Sequence, residues 1–322
     1  TSKTYIYMAI RRPMKTPEAG TEVFMPDTRA SSGGTLAEFI SGFPVDMYLR
    51  YLLSATYENR AHTRLLGETK LITNTTAAEV ADTTVSFASN VGAGPSGESA
   101  NTSVLAQMFK RAAGFMDVVA RTGTGGSGVS VPHNLTVVPE LVISKTRTAS
   151  SFGTDLDKWF VWSSAVSGSG NDSVVQLQSN SYNLGMGFFY PNSPTASAMT
   201  VHGNINYSGD ELVYYLFATL AGVSKVGSYT GTGADLNVDC GFTASARFIL
   251  IKRTDSTGDW YTYDSARGIS AGNDPYLLLN TTAAQVTNTD YIDPLNAGFT
   301  VTSSAPAGLN ANGGSYIFLA IA

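Results

Sequence analysis

The chain has 322 residues, a net charge of -5 and 14% charged side chains, against roughly 25% in typical globular proteins. Its 43% apolar residues argue against an intrinsically disordered chain, and its acidic balance without long basic runs argues against a nucleic-acid-binding protein. No apolar stretch approaches the roughly 20 residues of a membrane-spanning helix, and the single cysteine, Cys240, excludes a disulfide framework.

The first predicted elements, in chain order, are short apolar runs separated by turns rich in Gly, Asn and Asp. Residues 4–10 predict a β-strand, and residues 37–53 can hold a short helix. Strand-like runs follow at residues 104–109, 173–180 and 212–218. Short strands separated by such turns are typical of antiparallel β-proteins.

The last third of the chain carries the clearest pattern. A short helix is an option for residues 281–286, with Asn280 as its N-cap. The rest of this region has the size and the strand content of one antiparallel β-sandwich. Its apolar and aromatic runs predict β-strands at residues 248–253, 260–264, 276–279, 297–302 and 315–321.

Two sequence motifs recur at a spacing of roughly 100 residues or a multiple of it, which indicates an internal repeat. The sequence N-T-T-A-A-E-V at residues 74–80 returns as N-T-T-A-A-Q-V at residues 280–286. The sequence T-G-T-G occurs at residues 122–125 and again at residues 230–233.

Strand-like runs repeat in the same way. The aromatic run at residues 159–163 matches residues 260–264, and residues 135–145 align with residues 242–252. Two further alignments fit the same period. The match of residues 56–59 with residues 262–265 is weaker, whereas the match of residues 4–10 with residues 315–321, about three periods apart, is the most informative.

These repeats predict an all-β fold of three tandem antiparallel β-sandwich units, jelly-roll or lectin-like, of about 100 residues each. The glycine-rich residues 123–128 and 230–233 are expected to be the joints between units. We also expect that the chain is processed, truncated or the ordered part of a longer polypeptide. The predicted division is residues 1–29 as the closing strand of a preceding repeat plus a linker, residues 30–120 as a divergent first unit, residues 121–228 as the second and residues 229–322 as the third.

Motifs that carry catalysis or cofactor binding are weak in this sequence. Residues 123–128 match G-x-G-x-x-G, but the strand or loop that follows lacks the helix that a phosphate-binding motif needs, so a flexible linker is expected. His62, His133 and His202 lack partners at metal-ligand spacing and are expected to be structural or exposed. Chain order alone does not exclude a Ser-His-Asp triad, but no G-x-S-x-G elbow accompanies it.

Two pairs of carboxylates are candidates for hydrolytic chemistry or calcium binding. Asp255 and Asp259 flank a glycine turn, and Asp155 and Asp157 flank a leucine. Hydrogen bonding within the turn is the favoured interpretation, and a calcium site in either loop is the alternative. We expect no resident metal, no cofactor and no enzymatic turnover, and we expect Cys240 to be a small buried residue.

Aromatic residues are the main binding candidates. One interpretation is that alternate rings of a strand fill the sandwich core while the others face outward, and another is that exposed rings stack on sugar faces. The glycan- or partner-binding candidates are Trp159, Trp162, Trp260, Tyr261 and Tyr263.

Three stretches, at residues 260–268, 276–281 and 311–317, resemble a repeated β-domain in tail and tail-fibre proteins of tailed bacteriophages, especially marine ones. In that family a basic pair follows the last strand, as Arg11 and Arg12 follow Ile10 here. The resemblance implies a virion location, a role in adhesion or scaffolding, and homo-oligomers that are most often trimers.

The leading hypothesis is therefore a structural virion protein, a tail fibre or tail appendage that mediates attachment to the host surface. The alternatives are a purely structural tail or capsid component, and a bacterial surface adhesin with glycan-binding repeats. Expected partners are further copies of the chain, other virion tail proteins and a host-surface glycan, without nucleic acid or membrane insertion. Because the chain has few charges, we expect partner chains to cover part of its surface, with an interface above about 1,000 Å².

Overall fold

The computed structural model describes residues 14–29, 38–95, 103–150, 157–166, 174–182 and 194–322. These parts form an all-β fold of several antiparallel sheets, as predicted for the class of secondary structure. Single helical turns occur at Gly20–Glu22, Arg64–Leu66, Gly203–Ile205 and, as α1, at Ala307–Asn310. The strands are β1 (Phe24–Arg29), β2 (Phe39–Ile40), β3 (Met47–Leu52), β4 (Arg60–Thr63), β5 (Thr69–Ile72), β6 (Val80–Ala81), β7 (Val85–Ser86), β8 (Gly92–Pro95), β9 (Val104–Phe109), β10 (Met116–Thr122), β11 (Val129–Pro132), β12 (Leu141–Thr146), β13 (Trp159–Ser163), β14 (Val174–Gln176), β15 (Ala198–Val201), β16 (Glu211–Phe217), β17 (Ser224–Thr230), β18 (Leu236–Asp239), β19 (Phe248–Arg253), β20 (Trp260–Asp264), β21 (Leu277–Leu278), β22 (Ile292–Leu295), β23 (Gly298–Val301) and β24 (Ser315–Ile321).

Three large sheets follow one another along the chain. Their strand orders are β1-β9-β3-β4-β5-β6, β10-β16-β12-β13-β14 and β17-β24-β19-β20-β21. We call the strands β1–β9 segment 1, β10–β16 segment 2 and β17–β24 segment 3. In each segment the first strand pairs with the last, and the last strand pairs with the third. Smaller sheets with orders β2-β8-β7, β11-β15 and β18-β23-β22 accompany them.

Strand register relates individual residues of the three segments. Met47 lies opposite Phe109, Leu141 lies opposite Phe217, and Phe248 lies opposite Ile321 on the closing strands β9, β16 and β24. Residues of different segments that lie the same number of positions from these reference residues are called corresponding positions below. The sequence alignment of residues 135–145 with residues 242–252 agrees with this register.

The fourth strand of each segment shows where the sequence alignment fails. Trp159 lies opposite Lys145, and Trp260 lies opposite Lys252, in agreement with the alignment of these two strands. In segment 1 the same register gives the tryptophan position to Asn59. The predicted match of residues 56–59 with residues 262–265 is therefore wrong, because Asn59 corresponds to Trp260 rather than to Ser265.

Secondary-structure predictions were most accurate for the apolar runs. Strands at residues 104–109, 248–253, 260–264 and 315–321 are confirmed. The helix option for residues 37–53 is wrong, because this region contains β2 and β3. No helix forms at residues 281–286 either, where Val286 bridges to Tyr276. The predicted strand at residues 4–10 lies outside the described residues.

The segments meet at two tight turns rather than at the predicted glycine-rich joints. Gly114 and Gly222 have positive φ angles of 78° and 72°, and each turn leads directly from a closing strand into the next segment. The predicted boundaries at residues 120/121 and 228/229 fall inside β10 and β17. In the same way β1 pairs with β9 and is part of segment 1 rather than of a linker.

A central apolar cluster joins the three large sheets. The ring centroids of Phe24 and Phe109 in segment 1 lie 5.0 and 5.5 Å from that of Phe248 in segment 3, and Phe109 lies 6.2 Å from Phe217 in segment 2. The opposite face of each large sheet packs on residues of its own segment. Both faces of the closing strands are therefore buried within one chain. No helix among the described residues is long and apolar enough to cross a lipid bilayer.

Candidate functional site

All five aromatic side chains predicted as binding candidates are buried. Trp159 and Trp260 are 1% exposed and face the central cluster, whereas Trp162, Tyr261 and Tyr263 pack in the core of their own segment. The prediction that alternate rings face outward is therefore wrong, because both faces of these sheets are covered. A ring that stacks on a sugar needs an open face, and these five rings do not present one.

The two central tryptophans instead connect neighbouring segments. Trp159 Nε1 in segment 2 donates to the carbonyl oxygen of Ile72 in segment 1, at 3.0 Å. Trp260 Nε1 in segment 3 donates to the carbonyl oxygen of Gln176 in segment 2, at 2.8 Å. Ile72 lies opposite Arg60, and Gln176 lies opposite Phe160. Because Arg60 and Phe160 each follow the tryptophan position of their segment, Ile72 and Gln176 are corresponding positions. Each tryptophan thus makes the same contact with the preceding segment.

Asn59 closes the cycle between the first and the last segment. Its Nδ2 donates to the carbonyl oxygen of Leu278 at 3.0 Å and to that of Thr281 at 2.8 Å, both in segment 3. Leu278 corresponds to Ile72 and Gln176 by strand register. The Asn59 amide therefore donates to segment 3 as the Trp159 indole donates to segment 1 and the Trp260 indole to segment 2. In all three cases the donor and the acceptor occupy corresponding positions.

A side-chain amide supports each of these donors. Asn280 Oδ1 accepts from the backbone N–H of Trp260 at 2.8 Å, and Gln178 Oε1 accepts from that of Trp159 at 3.0 Å. In segment 1 the equivalent acceptor is Asn74, 3.2 Å from the backbone nitrogen of Asn59. The predicted N-cap role of Asn280 is wrong, because its side chain fixes a strand of its own segment.

The repeated motif at residues 74–80 and 280–286 is an inter-segment contact. The backbone N–H of Glu79 donates to the carbonyl oxygen of Arg147 in segment 2 at 2.6 Å. The backbone N–H of Gln285 donates to that of Leu53 in segment 1 at 2.9 Å. Leu53 and Arg147 are corresponding positions, so the sequence repeat reflects one docking geometry used twice.

Side-chain chemistry differs from junction to junction. Between segments 2 and 1, the Tyr215 hydroxyl lies 2.8 Å from Thr63 Oγ1. Between segments 1 and 3, Gln107 Nε2 donates to Asp264 Oδ2 at 3.0 Å, and Asp264 forms a buried ion pair of 2.7 Å with Arg267. Gln107 and Tyr215 are corresponding positions. Polar groups at these positions therefore distinguish one junction from another.

Two lysines are buried beside the central tryptophans. Lys145 Nζ donates to the carbonyl oxygens of Thr76, Thr146 and Asp157 at 3.1, 2.7 and 2.7 Å. Lys252 Nζ donates to the carbonyl oxygen of Gly258 and lies 5.9 Å from the Trp260 ring. Burial lowers the pKa of both ammonium groups to about 8. Both ammonium groups donate to backbone oxygens, and Lys145 reaches segment 1 through Thr76 whereas Lys252 bonds within its own segment.

The glycine-rich turns are held by buried asparagines, which the sequence analysis missed. Asn310 Oδ1 accepts from the backbone N–H groups of Thr232 and Gly233 at 2.9 and 3.2 Å, and Nδ2 donates to the carbonyl oxygens of Ala234 and Thr302, each at 2.9 Å. Asn206 bonds the other turn in the same way, accepting from Thr124 N at 3.2 Å. Asn206 follows Thr124 by 82 residues and Asn310 follows Thr232 by 78, so no constant spacing in the sequence marked these asparagines.

The remaining candidates are engaged in local hydrogen bonds. Asp255 pairs with Arg253 at 2.9 Å, Asp259 accepts from Asn280 at 2.8 Å, and Asp157 accepts from the backbone N–H of Ser150 at 2.7 Å. Asp155 lies outside the described residues. Among the residues that the structure places, no group of three His, Cys, Asp or Glu side chains is arranged to bind a metal.

The histidines and the cysteine are mostly buried. Burial lowers the pKa of His62 to about 3, and its ring stacks on Tyr48 at 4.6 Å. His133 is buried beside the carbonyl oxygen of Thr195, whereas His202 is partly exposed. Cys240 is buried as predicted, and burial raises its thiol pKa to about 12.

Comparison with known proteins gives a family without an assigned activity. A family model described as a domain of unknown function (DUF7483) matches residues 66–322, from the end of the helical turn after β4 to the last residue. No curated protein matches the sequence. Because the family model covers far more than half of the chain, the protein belongs to the DUF7483 family.

Proposed function

We propose that this chain is a structural virion protein of a tailed bacteriophage, a tail fibre or tail appendage that contributes to host-surface attachment without catalytic turnover. The first support is the resemblance at residues 260–268, 276–281 and 311–317. The second is that large aromatic side chains of the chain are buried between segments rather than exposed for binding. Its central tryptophans and the Gln107 side-chain amide, which donates to Asp264, form hydrogen bonds between segments. A chain whose segments are held together by buried contacts is suited to a part of a particle that bears mechanical load.

We also propose that the three segments are three copies of one antiparallel β-sandwich, arranged in a closed cycle. The observation that carries this is the set of corresponding contacts from Trp159 to Ile72, from Trp260 to Gln176 and from Asn59 to Leu278. A contact that recurs in one direction and returns to its start closes a ring, by the logic that governs cyclic oligomers.

A homo-oligomer, most often a trimer in the proteins that the chain resembles, is the proposed assembly, with other tail proteins as neighbours. This proposal rests on the resemblance. The low charge of the chain suggested that partner chains cover its apolar strands. This argument for an oligomer is weakened, because the closing strands β9, β16 and β24 are buried by other segments of the same chain. Partner chains are not needed to cover them.

A purely structural tail or capsid component is the second candidate. The burial of all five aromatic candidates favours it over an adhesin that binds glycans through these rings. Attachment then depends on other residues of the surface or on other proteins of the particle.

The location is tested on particles. Phage should be purified from cultures that encode this chain, and tail and capsid fractions should be compared by peptide mass spectrometry and by labelling with an antibody against the chain. We expect peptides and label on the tail. Label on the capsid would select the second candidate, and absence of the chain from purified particles would contradict both.

A further inference from the structure

A polar cavity of about 520 Å³ opens between segments 2 and 3. Part of its wall is a row of hydroxyl side chains on three neighbouring strands. Thr230 lies opposite Ser315, and the backbone N–H and the hydroxyl of Thr254 donate to the carbonyl oxygen of Ser315 at 2.8 and 3.2 Å. Ser228 lies two residues from Thr230 on β17 and therefore faces the same side.

A fixed carboxylate stands at the end of this row. Asp255 receives hydrogen bonds from Arg253 at 2.9 and 3.2 Å and from the backbone N–H of Ser315 at 3.1 Å. The Arg253 hydrogen bond holds the pKa of Asp255 below its usual range, so the group is ionised at neutral pH. Ala165 and Val166 of segment 2 form an apolar part of the wall.

The three segments carry different side chains at the position of Thr254. Leu53, Arg147 and Thr254 are corresponding positions, and their backbone N–H groups donate to the carbonyl oxygens of Ser103, Glu211 and Ser315, at the start of the closing strands, at 2.9, 2.7 and 2.8 Å. In segment 1 the apolar Leu53 belongs to the central cluster. In segment 2, Arg147 forms ion pairs of 2.7 Å to Glu79 and 3.0 Å to Glu211. In segment 3 the position carries the short side chain of Thr254, which lines the cavity.

We propose that this cavity is a binding site for a neutral sugar residue. Sugar hydroxyls donate to the Asp255 carboxylate and exchange hydrogen bonds with Ser228 and Thr230, while a C–H face of the ring lies on Val166. The volume lies within the range of small-molecule sites. A single carboxylate already paired with Arg253 disfavours both anionic ligands and a bare metal ion, which leaves an uncharged polyol as the matching chemistry.

This site deepens the attachment role and rests on that proposed function for its biological meaning, but binding itself is measured on the isolated chain. We suggest saturation-transfer NMR and titration calorimetry of the 322-residue chain with glucose, galactose, mannose, rhamnose and N-acetylglucosamine. We expect at least one of these sugars to bind with a millimolar Kd. Absence of binding by all five overturns the proposal.

Two variants locate the binding. Thr254→Leu places in the cavity the residue that segment 1 carries at the corresponding position, so the fold should tolerate it while binding is lost. Asp255→Asn should weaken binding at least tenfold. Thr243→Leu, at an exposed position outside the cavity, is the matched control and should bind as the unchanged chain does. Sugar binding that survives Thr254→Leu in a folded protein overturns the assignment to this cavity.

The two proposals fail separately. A chain that is found on the tail but binds none of the sugars refutes the cavity alone. A chain that binds a sugar through Thr254 and Asp255 but is absent from particles refutes the virion assignment alone.

Discussion

The indole nitrogen of Trp260 lies 2.8 Å from the carbonyl oxygen of Gln176, although the two residues belong to different sheets. This hydrogen bond gives a buried backbone acceptor its partner and aligns the ring against the central cluster. The tryptophans are thus part of the structure that holds the sheets together, and their removal should be felt as a loss of stability.

Trp260→Phe tests this contact by removing the donor while it keeps a smaller aromatic ring in the central cluster. It leaves the Gln176 carbonyl without its donor, and we expect the free energy of unfolding to fall by about 1–3 kcal/mol. Urea denaturation followed by circular dichroism measures the change. Tyr182→Phe, at a half-exposed ring, is the control and should have little effect. Equal midpoints for the two variants would show that the hydrogen bond contributes nothing.

The ion pair of Asp264 with Arg267 is expected to matter most when only one partner is removed. Arg267→Met leaves the buried Asp264 carboxylate unpaired and should destabilise the chain by about 3–5 kcal/mol. Adding Asp264→Asn to this variant should restore part of the loss, because the buried charge is then gone. A double variant less stable than Arg267→Met alone would contradict this account.

The buried lysines predict a rise of stability with pH. Burial lowers the folded-state pKa of Lys145 and Lys252 to about 8, below the ordinary 10.5, so the unfolded chain binds more protons between these values. From pH 8 to pH 9 each lysine should therefore add about 1 kcal/mol to the free energy of unfolding. Cys240 offsets part of this rise, because burial raises its thiol pKa to about 12 and the unfolded thiol loses its proton first. Urea denaturation at each pH measures the net rise.

The variant K145M/K252M should remove this rise while leaving the fold intact. Above pH 10 the direction reverses, because burial raises the pKa of Tyr214 and Tyr215 and the unfolded chain then loses protons first. A pH dependence between 8 and 9 that is identical in the variant and the unchanged chain would assign the rise to other groups.

The turn held by Asn310 gives a further test. Asn310→Ala removes a donor and an acceptor from four backbone groups and should cost about 2–4 kcal/mol. Asn312→Ala, at the exposed residue two positions later, should change stability by less than about 0.5 kcal/mol. Thermal unfolding of both variants distinguishes a rigid turn from the flexible linker that the sequence suggested.

Local patterns predicted the strands, and non-local contacts decided their surroundings. The apolar runs at residues 104–109 and 315–321 have the predicted bounds, because burial on both faces leaves a continuous apolar signal. The contact of Trp159 with segment 1 could not be predicted, since the residue pattern of one strand does not show that another sheet covers its second face. Asn59 was beyond reach for a related reason: only strand register reveals that it replaces a tryptophan.

The candidate cavity was not predictable from the sequence. Thr254 stands out only by comparison with Leu53 and Arg147 at the corresponding positions of the other segments. Its lining residues come from separate stretches of the chain, near residues 165, 230, 254 and 315, and only the fold brings them together.

The contact of Asn59 with Leu278 spans 219 positions along the chain, whereas the other two junctions join segments that follow one another through the turns at Gly114 and Gly222. Closing so long a loop carries a larger entropic cost than closing the neighbouring ones, and non-local pairing slows folding. We therefore expect folding to proceed through an open intermediate in which two neighbouring junctions have formed. The last step then joins the first and third segments, and at high concentration the same exposed faces would join two chains instead.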